Sequence, residues 1–248
     1  MGWNLSYNNT KLKFTAYKYQ VLKNRPSITK QLFWSGILIF GFAFILIFLN
    51  IEMPLFENIQ DLVFPFLLVS LFLIICAYVY QFYDFERIES KKDGHIAFNE
   101  DGLIIDYSKN FKYAELAEIQ FGIDAYYGEK INLTYRNPIE RKSIGIKNYI
   151  LLVTNSDTYK FNIKLENEVH FKELENTIFK LVQTEKLSNI DPKKLIKLVP
   201  NRFKQTNEYK NFVLRQIVEK KIGCTEGLLL HGYKTDKEAA ELRKKYCG

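Results

Sequence analysis

The sequence lacks charge over two long stretches. No Asp, Glu, Lys or Arg occurs in residues 32–49 or 62–80, although charged residues make up 25% of the chain. Each stretch has close to the roughly 20 apolar residues that a helix needs to cross a bilayer core of about 30 Å. Helices in the core of a soluble protein usually keep a polar stripe, and these stretches have none. The sequence therefore predicts a transmembrane hairpin over residues 31–82, with spans at about 32–49 and 62–82.

Cysteine is scarce as well. The chain has three cysteines, Cys76, Cys224 and Cys247, and no two of them form a Cys-x-x-Cys pair. Disulfide frameworks and zinc sites usually show more cysteines or closer spacing. The sequence therefore indicates neither a disulfide framework nor a zinc site, and we expect reduced cysteines in the cytosol.

The common motifs of enzyme sites are also missing. There is no Gly-rich phosphate loop, no Gly-x-Ser-x-Gly and no His-Glu-x-x-His. His95, His170 and His231 are isolated in sequence, which is typical of surface or capping histidines rather than of ligands or triad members. Glu100 and Asp101 are adjacent on a predicted turn, where both ionise and make poor acid–base partners. We therefore predict no catalytic residues, no cofactor, no metal ion and no enzyme activity.

Basic residues are distributed unevenly. Residues 1–30 contain six basic residues and no acidic ones, whereas residues 50–61 contain three acidic residues and no basic ones. Because basic segments resist translocation, we expect an inner (plasma) membrane protein with both termini in the cytoplasm. Residues 1–30 are interpreted as a cytoplasmic basic arm that sets this topology. Contact of the arm with anionic lipid is the alternative interpretation of its charge.

Short apolar runs separated by turn residues fill residues 83–183. The turn Asn99-Glu100-Asp101-Gly102 between two such runs is typical of a β-hairpin. Six or seven strands at this regular spacing predict a small antiparallel barrel or sandwich. The predicted strands cover residues 96–98, 103–105, 117–121, 131–135, 142–146, 149–154 and 159–163.

Helical spacing of apolar residues predicts helices on both sides of these strands. In the arm, residues 13–23 are predicted to form a short amphipathic helix, and residues 3–7 are a candidate strand. Asn167 is the predicted N-cap of a helix that reaches Val182 and covers an open end of the barrel. Residues 184–248 are predicted to form a basic tail of short helices, with a capping box at Thr235. A nucleic-acid partner is not expected, because a membrane-tethered tail reaches DNA with difficulty.

This order of elements resembles the bacterial pleckstrin-homology-like (PH-like) proteins with two membrane spans, in particular the YcxB-like proteins. The resemblance lies in residues 96–105, 111–119, 149–163 and 167–182. It implies an α+β membrane protein in which a transmembrane hairpin precedes a cytoplasmic PH-like β-barrel over residues 83–183, capped by a C-terminal helix. The short helical tail, residues 184–248, is appended to it. The resemblance brings no catalytic residues.

The resemblance has one departure that matters for ligands. Eukaryotic inositide-binding PH domains grip phosphates with a basic loop, whereas the corresponding turn here is acidic and repels phosphate. A basic patch elsewhere is the alternative, and a solvated surface is the simpler interpretation of the same residues. The residues in question are Lys109, Lys112, Arg136, Arg141 and Lys142.

The sequence thus favours a non-enzymatic binding or scaffolding role, with a protein partner held by the barrel or the tail. The alternative is an immunity protein against a membrane-active toxin, in which the hairpin itself would be the working surface. The lipid bilayer is a partner in both hypotheses, and a homo-oligomer stays open.

Overall fold

The structure is a computed structural model that describes residues 12–52, 59–134 and 136–247. These ranges contain seven strands and seven α-helices. In chain order they are β1 (Phe14–Arg25), α1 (Ile28–Glu52), α2 (Ile59–Tyr80), β2 (Arg87–Phe98), β3 (Gly102–Ile105), β4 (Lys109–Lys112), β5 (Leu116–Gly122), β6 (Asn148–Thr154), β7 (Thr158–Ile163), α3 (Glu168–Gln183), α4 (Pro192–Leu198), α5 (Asn207–Val218), α6 (Cys224–His231) and α7 (Asp236–Tyr246). The candidate strand at residues 3–7 lies outside the described residues.

The seven strands form one open antiparallel sheet in the order β4-β3-β2-β1-β7-β6-β5. Strand β1 lies between β2 and β7, although the two long helices separate it from β2 in sequence. The amphipathic helix predicted for residues 13–23 is therefore wrong. Buried Phe14, Ala16 and Lys18 alternate with exposed neighbours, which is the period of a strand. Long pairing with β2 outweighs the helical spacing of the apolar residues.

Five of the predicted strands are confirmed and two are wrong. Strands β2, β3, β5, β6 and β7 contain the predicted segments, and β2 begins earlier, at Arg87. Residues 131–134 and 142–146 lie outside the strands. Lys142 forms isolated bridges with Phe85 and Lys130, and the Ile131 N–H donates to the Arg141 carbonyl at 2.9 Å. Residue 135 lies outside the described residues. The main-chain groups near Lys142 bond to the segment that follows α2 instead of to a strand.

The sheet is strongly curled. Strands β4 and β5 stand at opposite ends of the strand order, yet only the 3-10 turn Tyr113–Glu115 joins them. Three residues span at most about 10 Å, so the two ends of the sheet approach each other there. The ring of Phe111 on β4 also lies 5.1 Å from the ring of Tyr159 on β7. A continuous apolar core fills the inside of this curve.

Helices α1 and α2 are long and apolar enough to cross a membrane, and little of their surface is buried within the chain. They pack against each other through small residues at intervals of seven, Gly36 and Ala43 on α1 and Ser70 and Ala77 on α2. Such residues let helix backbones approach closely, and the seven-residue interval keeps them on one seam. The Ser70 hydroxyl donates a hydrogen bond of 3.0 Å to the Gly36 carbonyl across this seam.

The predicted helix after the last strand is confirmed as α3, whose buried face packs against the apolar core. The Asn167 side chain accepts a hydrogen bond from the His170 main-chain N–H, so the predicted N-cap is confirmed. The helices after it are not a separate unit, because their buried residues belong to the same apolar core as those of the sheet. Tyr209 of α5, for example, is fully buried there. The predicted capping box at Thr235 is confirmed in its first half, since the Thr235 hydroxyl accepts from the Glu238 N–H, while the Glu238 carboxylate accepts from the Lys234 N–H instead of from Thr235.

The expectation that the chain has no disulfide is wrong. Cys224 and Cys247 form a disulfide, with Cα atoms 5.7 Å apart, while Cys76 is free. Cys224 begins α6 and Cys247 follows α7, and a short loop joins the other ends of the two helices. The two helices therefore run antiparallel, and this places the distant cysteines side by side.

We expect Cys247→Ser to loosen α7 alone. No residue of α7 is fully buried, and Leu242 and Tyr246 pack only partly against the core, so the disulfide is a major tether of this helix. Closing a loop across 23 residues contributes roughly 3 kcal/mol in the chain-entropy model. Hydrogen–deuterium exchange should therefore accelerate in α7 and stay unchanged in α3, with Cys76→Ser as the matched control. Equal acceleration in α3 and α7 would contradict this assignment.

Candidate functional site at the base of the hairpin

A buried polar cluster joins the helical hairpin to the sheet, and we call it the hairpin base. It combines residues just before and within the first turn of α1, residues just after α2, and the segment 140–147 that leads into β6. Its buried polar members are Ser27, Thr29, Gln81, Asp84, Glu86, Glu140 and Ser143. These residues lie close to the N-terminal end of α1 and the C-terminal end of α2, where a membrane surface would lie.

Two carboxylates hold the first turn of α1. The Ser27 hydroxyl and the Lys30 ammonium donate hydrogen bonds of 2.7 and 2.8 Å to the two carboxylate oxygens of Glu140. The Thr29 main-chain N–H donates to the Asp84 carboxylate at 2.7 Å. The first N–H groups of a helix have no partner within the helix, and the helix dipole favours negative charge there. Both carboxylates therefore stabilise the point where the chain enters α1.

The ionisation of Glu140 depends on these contacts. Burial by itself raises the pKa of the Glu140 carboxyl, but the hydrogen bonds from Lys30 and Ser27 outweigh burial and hold the pKa below its ordinary value. A carboxyl whose pKa is lowered by folding stabilises the fold above its unfolded pKa, and this stability is lost as the pH falls through the folded pKa. The contribution of the ionised Glu140 carboxylate to stability is therefore fully present at neutral pH.

The segment after α2 is bonded to residues 140–147. The main-chain N–H groups of Arg141 and Lys142 donate to the carbonyls of Gln81 and Asp84, both at 3.1 Å. The Glu86 carboxylate accepts from the Ser143 hydroxyl at 2.9 Å and forms an ion pair with Lys147. Because β6 begins directly after Lys147, these contacts connect the end of α2 to the sheet.

The three histidines lie in three separate places. The His95 ring stacks on Tyr107 at 4.9 Å. His170 Nε2 lies 2.8 Å from the Thr15 carbonyl oxygen, and His231 Nδ1 lies 2.7 Å from the Gly232 carbonyl oxygen. In the ranges that the structure describes, no group of three His, Cys, Asp or Glu side chains is arranged to hold a metal ion.

Four of the five basic residues considered as a patch lie in two separate parts of the fold, and the fifth, Arg136, is exposed between β5 and β6. Lys109 and Lys112 belong to β4 at one end of the sheet order. Arg141 and Lys142 belong to the hairpin base, where Arg141 Nε donates to the Gln81 side-chain oxygen at 3.2 Å.

The acidic turn between β2 and β3 is used within the fold. Its Glu100 carboxylate accepts from Lys186 at 2.7 Å and from the Leu12 N–H. These hydrogen bonds hold the pKa of the Glu100 carboxyl below its ordinary value.

An exposed ribbon is the feature that sequence reasoning missed. Strands β1 and β2 pair from Tyr19 opposite Lys92 to Arg25 opposite Arg87, and residues 20–25 are all exposed. We call residues 19–25 and 87–92 the β1–β2 ribbon. Its charged residues are Lys23, Arg25, Arg87, Lys91, Lys92 and Glu89. Strand alternation from Phe14 onward was present in the sequence, but the helical spacing of the apolar residues competed with it.

Comparisons of the chain with protein-family models, with curated proteins and with solved structures found no match.

Proposed function

We propose that this chain is a membrane-anchored binding protein without enzyme activity. Helices α1 and α2 span the inner (plasma) membrane, and the sheet with its helices is a PH-like domain that faces the cytoplasm and binds a protein partner. The length and apolar character of both helices support the membrane anchor. The seven-stranded antiparallel sheet, with amphipathic α3 as the first of the helices after its last strand, supports the PH-like assignment.

The hairpin base carries this proposal. It ties both ends of the apolar hairpin to the sheet through buried polar contacts, so the sheet is held at a fixed place beside the membrane. Buried hydrogen-bonded networks of this kind give a defined arrangement rather than a flexible tether. A fixed domain with an exposed basic ribbon suits a protein that presents a binding surface next to the bilayer.

A single introduced cysteine tests the topology. The Cys224–Cys247 disulfide does not react with maleimides, so a cysteine at exposed Val169 on α3, in the Cys76→Ser background, reports which side the sheet faces. We expect a membrane-permeant maleimide to label Val169→Cys in intact cells and an impermeant one to label it only after lysis. Labelling of intact cells by the impermeant reagent would place the sheet outside.

Partner recovery tests the binding role. The tagged full-length protein, solubilised in detergent, should recover the same partner reproducibly from membranes of its own cells. A variant with residues 32–82 replaced by an unrelated transmembrane hairpin should recover it equally, because the partner binds the sheet. Loss of recovery in that variant would favour a role for the spans themselves. Recovery of no reproducible partner by the wild-type protein would refute the proposal.

A further inference from the structure

Strand β1 leaves its neighbour β7 early. Although β1 is long, β7 pairs only with Lys18 and Tyr19. Strand β7 itself continues along β6 as far as Thr158. The facing edges of β1 beyond Tyr19 and of β7 before Asn162 are therefore unpaired along the strands that the structure describes. We call the gap between them the β1–β7 cleft.

The direction of the main-chain groups follows from the last bonds before the cleft. The Lys164 N–H donates to the Tyr17 carbonyl at 3.1 Å, so the main-chain groups of Tyr17 face β7. Alternate residues of a strand face the same neighbour, which directs Tyr19 to this side, where it pairs with Asn162. Beyond Tyr19 the register of β1 against β2 shifts again between Val21 and Lys23, and no strand of the described chain pairs with the β7 side of β1 there. Open edges of this kind are templates for another strand.

The cleft has room for a side chain or a strand edge. Its cavity measures about 410 Å³ and lies where β1 and β7 diverge. The lining residues are Lys18, Tyr19, Gln20, Val21, Asp93, Lys160, Phe161 and Asn162. Asp93 already forms an ion pair with Lys18 at 3.3 Å. Lys160 is therefore the charged lining group without a carboxylate partner among the ion pairs of the described chain.

Charge selects the occupant. The β1–β2 ribbon beside the cleft holds five basic residues and one acidic residue. A second copy of this edge would bring Lys23 and Arg25 against basic residues of the same kind, and like charges on paired strands destabilise the pairing. An acidic strand would instead be attracted to these basic residues, because opposite charges on paired strands stabilise the pairing. Exposed Val21 offers it an apolar contact on the same edge.

We infer that the β1–β7 cleft binds an extended acidic peptide segment of a partner protein, which adds to β1 as a further strand. This inference rests on the proposed binding role and names the site and chemistry of the partner. Main-chain hydrogen bonds to β1 hold the peptide, and its carboxylates meet Lys160 and the basic ribbon.

The test uses the full-length protein in phosphatidylcholine nanodiscs and a fluorescent peptide of alternating glutamate and valine. We expect it to bind about tenfold more tightly than the matching peptide of lysine and valine, as measured by anisotropy. Val21→Pro removes the N–H donor and should weaken binding about tenfold, whereas Val21→Thr keeps the donor and should change it less than about twofold. Lys160→Glu should also weaken binding and keeps the test informative if the proline variant misfolds.

Four outcomes would overturn the inference. Equal affinity for the acidic and basic peptides would show that charge does not select the occupant. Unchanged affinity of Val21→Pro would show that the peptide does not pair with the edge of β1. A third outcome is that no variant binds either peptide, while the wild-type protein associates with lipid vesicles only when they contain phosphatidylglycerol. This outcome would assign the basic ribbon to the membrane surface instead. Partner recovery by wild-type protein and Val21→Pro alike would refute the cleft and leave the proposed function standing.

Discussion

Replacing Gly36 by leucine is expected to force α1 and α2 apart. A Cβ atom at this position would lie 2.8 Å from Ile74 Cγ1 and 3.1 Å from the Ser70 carbonyl oxygen, closer than normal packing allows. The shift would also break the hydrogen bond from Ser70 to the Gly36 carbonyl. Overpacking of this kind costs about 1–3 kcal/mol, and the loss of the interhelical bond adds to it.

The measurement is the distance between spin labels placed on the two helices in nanodiscs, with thermal unfolding of the purified protein beside it. Gly41→Leu is the matched control, because no atom lies within 4 Å of a Cβ at Gly41. We expect Gly36→Leu to lengthen the distance and lower the melting temperature, and Gly41→Leu to do neither. Identical behaviour of the two variants would mean that the seam is not where the structure places it.

Glu140→Ala is expected to release α1 from the segment 140–147. The change leaves the Ser27 hydroxyl buried without its acceptor and removes the ion pair with Lys30. Loss of a charged acceptor in a buried network costs about 2–3 kcal/mol, discounted here because Lys30 is partly exposed. Hydrogen exchange should accelerate in residues 140–147 and in the first turn of α1. Glu115→Ala is the control, since Glu115 and its partner Lys112 are both exposed and such pairs contribute little.

The Glu140 carboxylate predicts that the stability difference between wild type and Glu140→Ala depends on pH. Because its pKa is lowered in the folded protein, wild type and Glu140→Ala should differ most at neutral pH. The difference should shrink as the pH falls below the ordinary pKa of glutamate, about 4.3, and disappear once Glu140 is protonated in both states. A stability difference that is constant down to acid pH would show that Glu140 acts through its shape and not through its charge.

Local signals in the sequence predicted those elements that local chemistry determines. For three features the sequence signal lies within a few residues of the element that it predicts. They are the uncharged spans, the turn at Asp101-Gly102 and the N-cap at Asn167. Strand β1 could not be found this way, because its partner β2 follows only after the whole helical hairpin. Apolar residues at both helical and strand spacing left its local pattern ambiguous, and pairing decided it.

The hairpin base and the disulfide escaped prediction for a related reason. Asp84, Glu86 and Glu140 have the composition of a solvated surface, and only the folded chain shows that they are buried against the ends of α1 and α2. Cys224 and Cys247 are brought together by the antiparallel pairing of two short helices. The open edge of β1 is likewise a property of the assembled sheet, since it exists only where β7 stops pairing.

The insertion of the hairpin between β1 and β2 constrains how the protein is made. A ribosome delivers β1 first, and both apolar helices must emerge before β2 can close on it. The middle of the sheet is thus completed only after the hairpin has had its chance to enter a bilayer. A fragment that starts after the second helix would have lost its innermost strand. A water-soluble version should instead join Arg25 to Arg87, which already stand opposite each other, by a tight turn.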